Sequence, residues 1–458
     1  MRLSRRTLLQ GFGALPLAAG SFGSSSAFAQ APAALPAAIE VPPVLFVHGN
    51  GDQAPLWMTT LWRMESNGVP RERMFAINFA DPLARTDDSV PQQNRSSTED
   101  QRRELGDAIK DLKRRSGAAR VALVANSRGG YCVRSYIKNG GSADVSHAVL
   151  CGVPNHGVFN WDDNPGSEFN GRGPFLRGLN EGESEVTPGT AFLTLRSDNM
   201  DKYAQLDGRL LGKPGTPTGI STEGPALKGA TNLVLGALDH RETAFHPRAF
   251  REIYKFVAGR EPARIAITPE AEIKLSGVVT GTPGGVQTNR PVAGASVEVY
   301  RVSRETGERI GGAIHTSQAG ADGRWGPAQV DSSWYLEIVL TSAGSTTTHS
   351  YHSPFPRSSD IVHLRAARAL SPADAGAGAV VIMSRPRGYF GLPRDVALFD
   401  GKEPTDVKAG VPTDSTSTLR LSAAEVGRPV AALFNQERIV VRVWPASENR
   451  ITVAELTC

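Results

Sequence analysis

The chain has 458 residues, 40% of them hydrophobic, which is more than one ordinary domain and enough apolar material for two or three packed cores. A formal net charge of +4, with 21% charged residues of both signs, lacks the concentrated basic face of a nucleic-acid binder and sets that class aside. Three cysteines, Cys132, Cys151 and Cys458, neither build a disulfide framework nor supply the close pairs of a zinc site.

The first residues, 1–29, read as an export signal. Arg5 and Arg6 precede the apolar stretch Phe12 to Ala19, and Ala27-Phe28-Ala29 gives a small-x-small cleavage pattern, the order of a twin-arginine leader. The expectation is export by the twin-arginine route, to the periplasm or beyond the cell. No later run has the roughly 18 apolar residues of a membrane span, so no transmembrane anchor is expected.

From Pro43 to about Gly259, β-rich runs alternate with helical patterns, which predicts a mostly parallel sheet with helices on its faces, in a domain over 41–260. The strands are "PVLFVHGNG", "RERMFAINF", "VALVA", "HAVLCGVP", "AFLTLRS" and "TNLVLGAL". The helix after the second strand opens at the capping box Ser97-Thr98-Glu99-Asp100, closes at Gly117 and carries Leu105, Ile109 and Leu112 on one face. A Gly- and Asn-rich loop runs from Asn155 to Gly189, and "PRAFREIYKFVAG" ends the domain as a helix. After Pro262, short runs such as "IKLSGVVTG", "ASVEVYRV", "WYLEIVLTS", "DIVHLRAA", "AVVIMSRP" and "PVAALFN" alternate partially and are cut by Gly, Pro, Asp and Ser turns. They predict all-β C-terminal sandwich or barrel domains, one over 270–368 and a second over 376–458, joined near "ALSPADAGAGA".

Ser127 stands where "VALVA" turns into a helix. A serine hydroxyl is a poor nucleophile unless a histidine takes its proton, a carboxylate orients that histidine, and amides await the oxyanion. Ala125 and Gly129 flank it as A-x-S-x-G, the small residues that a sharp strand-to-helix turn needs; capping of the helix is the other role for such a serine. His48-Gly49-Asn50-Gly51 follows the first strand, where an α/β-hydrolase fold supplies one oxyanion amide. The Asn50 and Arg128 amides are then the natural pair, and His48 holds its loop by hydrogen bonds. In that fold the chain runs serine, acid, histidine. His240, in the loop leaving "LVLGAL", is the expected base, and His246, opening the last helix, is the alternate. His147 reads as a surface residue, and His156 as a residue beside the cleft. Asp198 and Asp201 both lie in the loop after "AFLTLRS", and spacing alone does not choose between them. Asp239 points away from its neighbour His240.

The segments "VLFVHGNG", "VALVANSRGG", "SDNMDKYAQ" and "LGALDH" resemble those of the small bacterial lipases with an A-x-S-x-G elbow, the class 2 triacylglycerol lipases, over roughly Val41 to Val257. That resemblance implies an α/β-hydrolase fold with Ser127 as nucleophile, His240 as base, and Asn50 and Arg128 at the oxyanion. Matching Gln205 to the family's Gln places the acid on Asp201. Arg128 departs from the family, which often has Met there, and sets a bulky cation where an apolar residue would face the acyl chain. The rest of the chain, from Leu275 to Thr457, resembles the β-domain of Archaeoglobus-type lipases through "SGVVTG", "PVAGASVEVYRV" and "ALFNQERIVVRVWP". This implies a lipolytic partner domain, with a lipid or polymer surface met through the β-domains, and makes His315, His349, His352 and His363 surface or turn residues.

The leading reading is a secreted serine carboxylic-ester hydrolase, a lipase or esterase that needs no metal or organic cofactor and takes an ester or lipid substrate. A polyester depolymerase, an amidase with the same triad, and a non-catalytic exported binding protein on a hydrolase scaffold are the alternatives. The Asn155 to Gly189 loop is placed to cover the cleft, but Asp162, Asp163, Glu168, Arg172 and Arg177 make it polar for a lid over long acyl chains.

Overall fold

The computed structural model describes residues 41–457; the leader expected over 1–29 and Cys458 lie outside them. The first part of the chain builds six parallel strands: β1 (Val44–Val47), β2 (Met74–Ala76), β3 (Val121–Asn126), β4 (Val145–Cys151), β5 (Ala191–Arg196) and β6 (Thr231–Val234), in the order β2-β1-β3-β4-β5-β6. Between them run α1 (Met58–Ser66), α2 (Thr98–Ser116), α3 (Gly129–Lys138) and a short α4 (Pro174–Leu179); α5 (Glu242–Phe245) and α6 (Pro247–Ala258) follow β6. Side chains of a strand alternate between faces, so Leu45 and Val47 enter the core under α2 and α3, while Val44 and Phe46 enter the core on the other side with Trp57, Phe250 and Ile253. Both faces are covered, which is why these strands read as continuous apolar runs. Strand order reverses at β1, so the carboxyl ends of β1 and β3 open on a crevice where such sheets place their ligands.

The α2 helix follows its sequence signals closely. Ser97 accepts from the Asp100 amide while Asp100 answers to the Ser97 amide, Gly117 takes the left-handed conformation at φ 69°, and Leu105, Ile109 and Leu112 are all buried. Three of these helices were not legible as such: α1, α4 inside the Asn155 to Gly189 loop, and the short α5.

The remainder is built of strands: β7 (Ile273–Thr280), β8 (Ser296–Val302), β9 (His315–Gln318), β10 (Arg324–Val330), β11 (Tyr335–Thr341), β12 (Thr347–His352), β13 (Leu364–Arg365), β14 (Ala379–Ser384), β15 (Ala397–Phe399), β16 (Thr416–Leu421), β17 (Pro429–Phe434), β18 (Glu437–Arg442) and β19 (Arg450–Glu455). One sheet of seven strands runs β16-β14-β19-β12-β11-β8-β9, beside two of three strands, β10-β7-β13 and β15-β17-β18. β19 pairs in parallel with both β12 and β14, so the pairing crosses the join expected near residue 370. His349 and His352 are buried rather than at the surface or in turns: His349 stacks on Trp444 with ring centres 4.2 Å apart and pairs with the fully buried Glu337 at 2.7 Å. Among the described residues no helix is long and apolar enough to cross a membrane.

The two parts share a core. A single apolar cluster runs from Phe46, Trp57 and Phe250 to Ile273, Trp325, Leu336 and Phe355. Polar contacts reinforce it, among them Arg357 to Glu65 at 2.8 Å and Trp62 Nε1 donating to the Ser358 carbonyl at 2.9 Å.

Candidate active site

Ser127 sits at the tip of β3 with φ +53°, in the left-handed region that non-glycine residues rarely adopt. Its amide donates to the Cys151 carbonyl of β4 at 3.0 Å, fixing the turn, and its hydroxyl makes no hydrogen bond among the described residues. The hydroxyl therefore does not cap α3. Small neighbours are a steric requirement: a Cβ on Gly49 would lie 2.8 Å from Ser127 Cβ, and one on Gly129 would lie 2.6 Å from the His48 carbonyl oxygen. The loops after β1 and β3 can touch only because both positions are glycine.

The amides of Asn50 and Arg128 donate to no acceptor among the described residues, and Asn50 lines the same cavity as Ser127. The Asn50 side chain is turned away from that cavity's chemistry, its Oδ1 accepting from the Ala84 amide at 2.7 Å. His48 is fully buried; its Nε2 accepts from the Phe79 amide at 3.1 Å and its Nδ1 lies 2.9 Å from the Gly49 carbonyl. Burial holds its pKa down at about 4, so it stays neutral and acts as a loop support.

His240 and Asp201 come together from loops after β6 and β5. His240 Nδ1 stands 2.9 Å from Asp201 Oδ2, both side chains nearly buried, and His240 Nε2 has no partner among the described residues. The other Asp201 oxygen accepts from the Tyr203 amide at 2.8 Å, and the Tyr203 ring meets His240 edge-on with centres 4.6 Å apart. Asp198 faces elsewhere: its oxygens accept from the Met200 and Ala237 amides at 3.1 and 2.8 Å, the turn-forming role usual for aspartate. His246 caps α6 through Nδ1, 3.2 Å from the Arg248 amide, with its pKa lowered by burial to about 4. His156 lines a neighbouring cavity and pairs with Glu185 at 2.9 Å, and His147 is half-buried.

Ser127, Asn50 and His240 open on one cavity of about 140 Å³, walled by Val158, Phe159, Phe169, Tyr203, Leu211 and Tyr389. Three of these belong to the loop from Asn155 to Gly189. Its polar residues look elsewhere: Asp162 pairs with Arg172 and Asp163 with Lys213 outside, while Glu168 is wholly buried against Arg128 and Thr98. The apolar side of the loop is what the cavity meets, and the expected polar lid is not what the cavity sees. The Arg128 side chain is corrected too. It is fully buried and points into the protein, onto Glu168, the Ser96 carbonyl at 2.7 Å and the Pro82 carbonyl at 3.2 Å, and does not face the cavity. Tyr389 was missed altogether, because it enters from the β-strand part of the chain.

Residues 43–187 match the family model described as palmitoyl protein thioesterase, and residues 271–369 match the lipase C-terminal domain. No curated protein matches the chain. Solved structures similar to it include the lin2722 product of Listeria innocua, with 16% identity and TM-score 0.32 over 49% of this chain and 97% of that one. Lipase B of Aspergillus fumigatus gives 14% and 0.36 over 49% and 54%, and phospholipase PlaB of Legionella pneumophila gives 14% and 0.32 over 72% and 94%. The two family matches, and not these distant likenesses, bracket the site built above: the chain is a lipase- and esterase-like hydrolase of α/β-hydrolase fold that carries a lipase C-terminal domain.

Proposed function

We propose that this hydrolase cleaves carboxylic esters through an acyl-serine intermediate. Ser127 attacks the ester carbonyl as His240 Nε2 takes its proton, Asp201 holds the imidazole, and the Asn50 and Arg128 amides receive the oxyanion. The alcohol leaves with the proton from His240, and water activated by the same histidine releases the acid. The observation that carries this reading is the 2.9 Å contact between Asp201 and His240 Nδ1, with Nε2 left unpartnered and buried in the cavity that Ser127 lines.

A cavity of about 140 Å³ takes an acyl group about as large as benzene. Short acyl esters are the substrates that fit this cavity with the loop carrying Phe159 and Phe169 where it stands. A thioester carbonyl suits the same groups, which the palmitoyl thioesterase match brings into consideration. On the leader reading the protein is exported by the twin-arginine route, and the β-strand part meets a lipid or polymer surface.

The test is Ser127→Ala, assayed on p-nitrophenyl esters of graded chain length and on matched acyl thioesters. A loss of about 10⁴-fold or more in kcat is expected, with short esters leading in the native enzyme. Turnover unchanged by the substitution overturns the assignment of this site.

A further inference from the structure

His240 is flanked in the chain by two carboxylates that form ion pairs with arginines of the β-strand part. Asp239 is fully buried and Glu242 nearly so. The Asp239 Oδ1 accepts from the amides of Arg241 and Glu242 at 2.7 and 2.9 Å, and Glu242 Oε2 accepts from the Asp239 amide at 2.6 Å, so the two side chains fold the loop around His240. Their counter-charges come from about 145 residues further on. Arg385, just past β14 and itself 3% exposed, donates from Nη1 to Asp239 at 2.8 Å and from Nη2 to Glu242 at 2.6 Å. The Tyr389 amide adds a bond to Asp239 at 2.8 Å. Arg394 donates to Glu242 at 2.7 Å and to the Ala237 carbonyl at 2.9 Å, and the Pro386 carbonyl accepts from Arg241 at 3.0 Å.

The loop needs such a hold. Ala237 sits at φ +59°, a conformation that persists only where the surroundings over-determine it. Asp198 grips its amide and Arg394 its carbonyl. A buried ionic network is a poor way to gain stability, since desolvation cancels much of the attraction; what it imposes is one geometry. Arg385 is seated for this, its guanidinium over the Phe434 ring at 4.5 Å. The fork of Arg385 spans two carboxylates that flank the histidine by one and two residues, so a shift of the fork moves His240.

We propose that Arg385, with Arg394 behind it, is a positioning residue for His240, and that the β-strand part of the chain, through a segment beyond the residues 271–369 that match the lipase C-terminal domain, therefore completes the active site rather than only docking it to a substrate surface. The inference rests on the ester-hydrolase reading above, through the role given there to His240. The segment from Arg385 to Asp395 acts as a brace: it sets where His240 Nε2 stands relative to Ser127, while Tyr389 of the same segment supplies one wall of the cavity.

The experiment uses the full chain and a soluble short-chain p-nitrophenyl ester, with competent sites counted by the end point of labelling with a fluorophosphonate. Arg385→Gln is expected to lower kcat per labelled site by about 10²-fold, the effect of a misplacement near 1 Å, with KM nearly unchanged. Arg385→Lys, which keeps the charge but loses the fork, is expected to fall between the two. Arg394→Gln, at a less buried position than Arg385, serves if Arg385→Gln does not fold, and is expected to give a smaller loss of kcat in the same sense. Equal kcat per labelled site in all three overturns the proposal, because Arg385 would then serve folding alone. Should Ser127→Ala retain full turnover, the failure belongs to the site reading and not to the brace.

Discussion

The Arg128 amide, beside Ser127, has no acceptor among the described residues while its side chain turns inward to Glu168, and on the function proposed above the two roles are separable. Replacing it by Met leaves the main chain in place but strands a fully buried carboxylate. Arg128→Met is expected to cost about 3–5 kcal/mol, and Arg128→Met with Glu168→Leu to recover most of that; urea unfolding of the four chains in a double-mutant cycle measures the coupling. Ester turnover per folded molecule should change little in the double variant. That buried pair was not legible in the sequence, since Glu168 lies 40 residues on in an irregular loop. Asn50, Ser127 and His240 were legible because each sits at a strand end, where pattern and chain order confine the choice. Asp198 and Asp201 were level on spacing; only folding separates them, by turning one into a turn and the other toward His240.

The loop after β1 depends on a histidine that must remain neutral. His48 has a folded pKa of about 4 against the ordinary 6.5, chiefly through burial. Between those values the unfolded chain binds a proton that the folded chain does not, so stability rises with pH across that window and falls as the solution is acidified through it. The shift is worth about 3 kcal/mol by pH 4. The urea midpoint should therefore decline between pH 6.5 and 4, and His48→Gln, which keeps an acceptor for the Phe79 amide, should flatten that decline by about one proton. Elements that sequence missed have physical reasons of the same order. Nearly every residue of α1 is buried, so no polar face marked it as a helix. β10 carries Gly326-Pro327 at a break in register, and β12 buries His349, which meets its partner Glu337 only across the sheet.

At the scale of the whole molecule, the catalytic part and the β-strand part share one apolar core and one set of ion pairs. A chain cut after Pro262 bares the Phe46, Trp57 and Phe250 side of that core, a surface that invites aggregation. It is expected to elute as aggregate in size-exclusion chromatography and to lose activity on soluble esters as well as on emulsions; a monodisperse fragment with native turnover on soluble esters contradicts this. The alternation of strands and helices made the two textures legible, but nothing local announced that they interlock, because the contacts span a hundred residues or more. The position of β19 carries a further consequence for biogenesis. This strand, at Arg450–Glu455, lies between β12 and β14 in the middle of the seven-stranded sheet. A nascent polypeptide on the ribosome leaves both neighbours as open edges until these residues emerge, with non-local pairings that form slowly. β14 leads directly into Arg385, so on the brace proposed above a chain that stops short of Arg450 is expected to be inert on soluble esters, its Arg385 unset until β19 has paired.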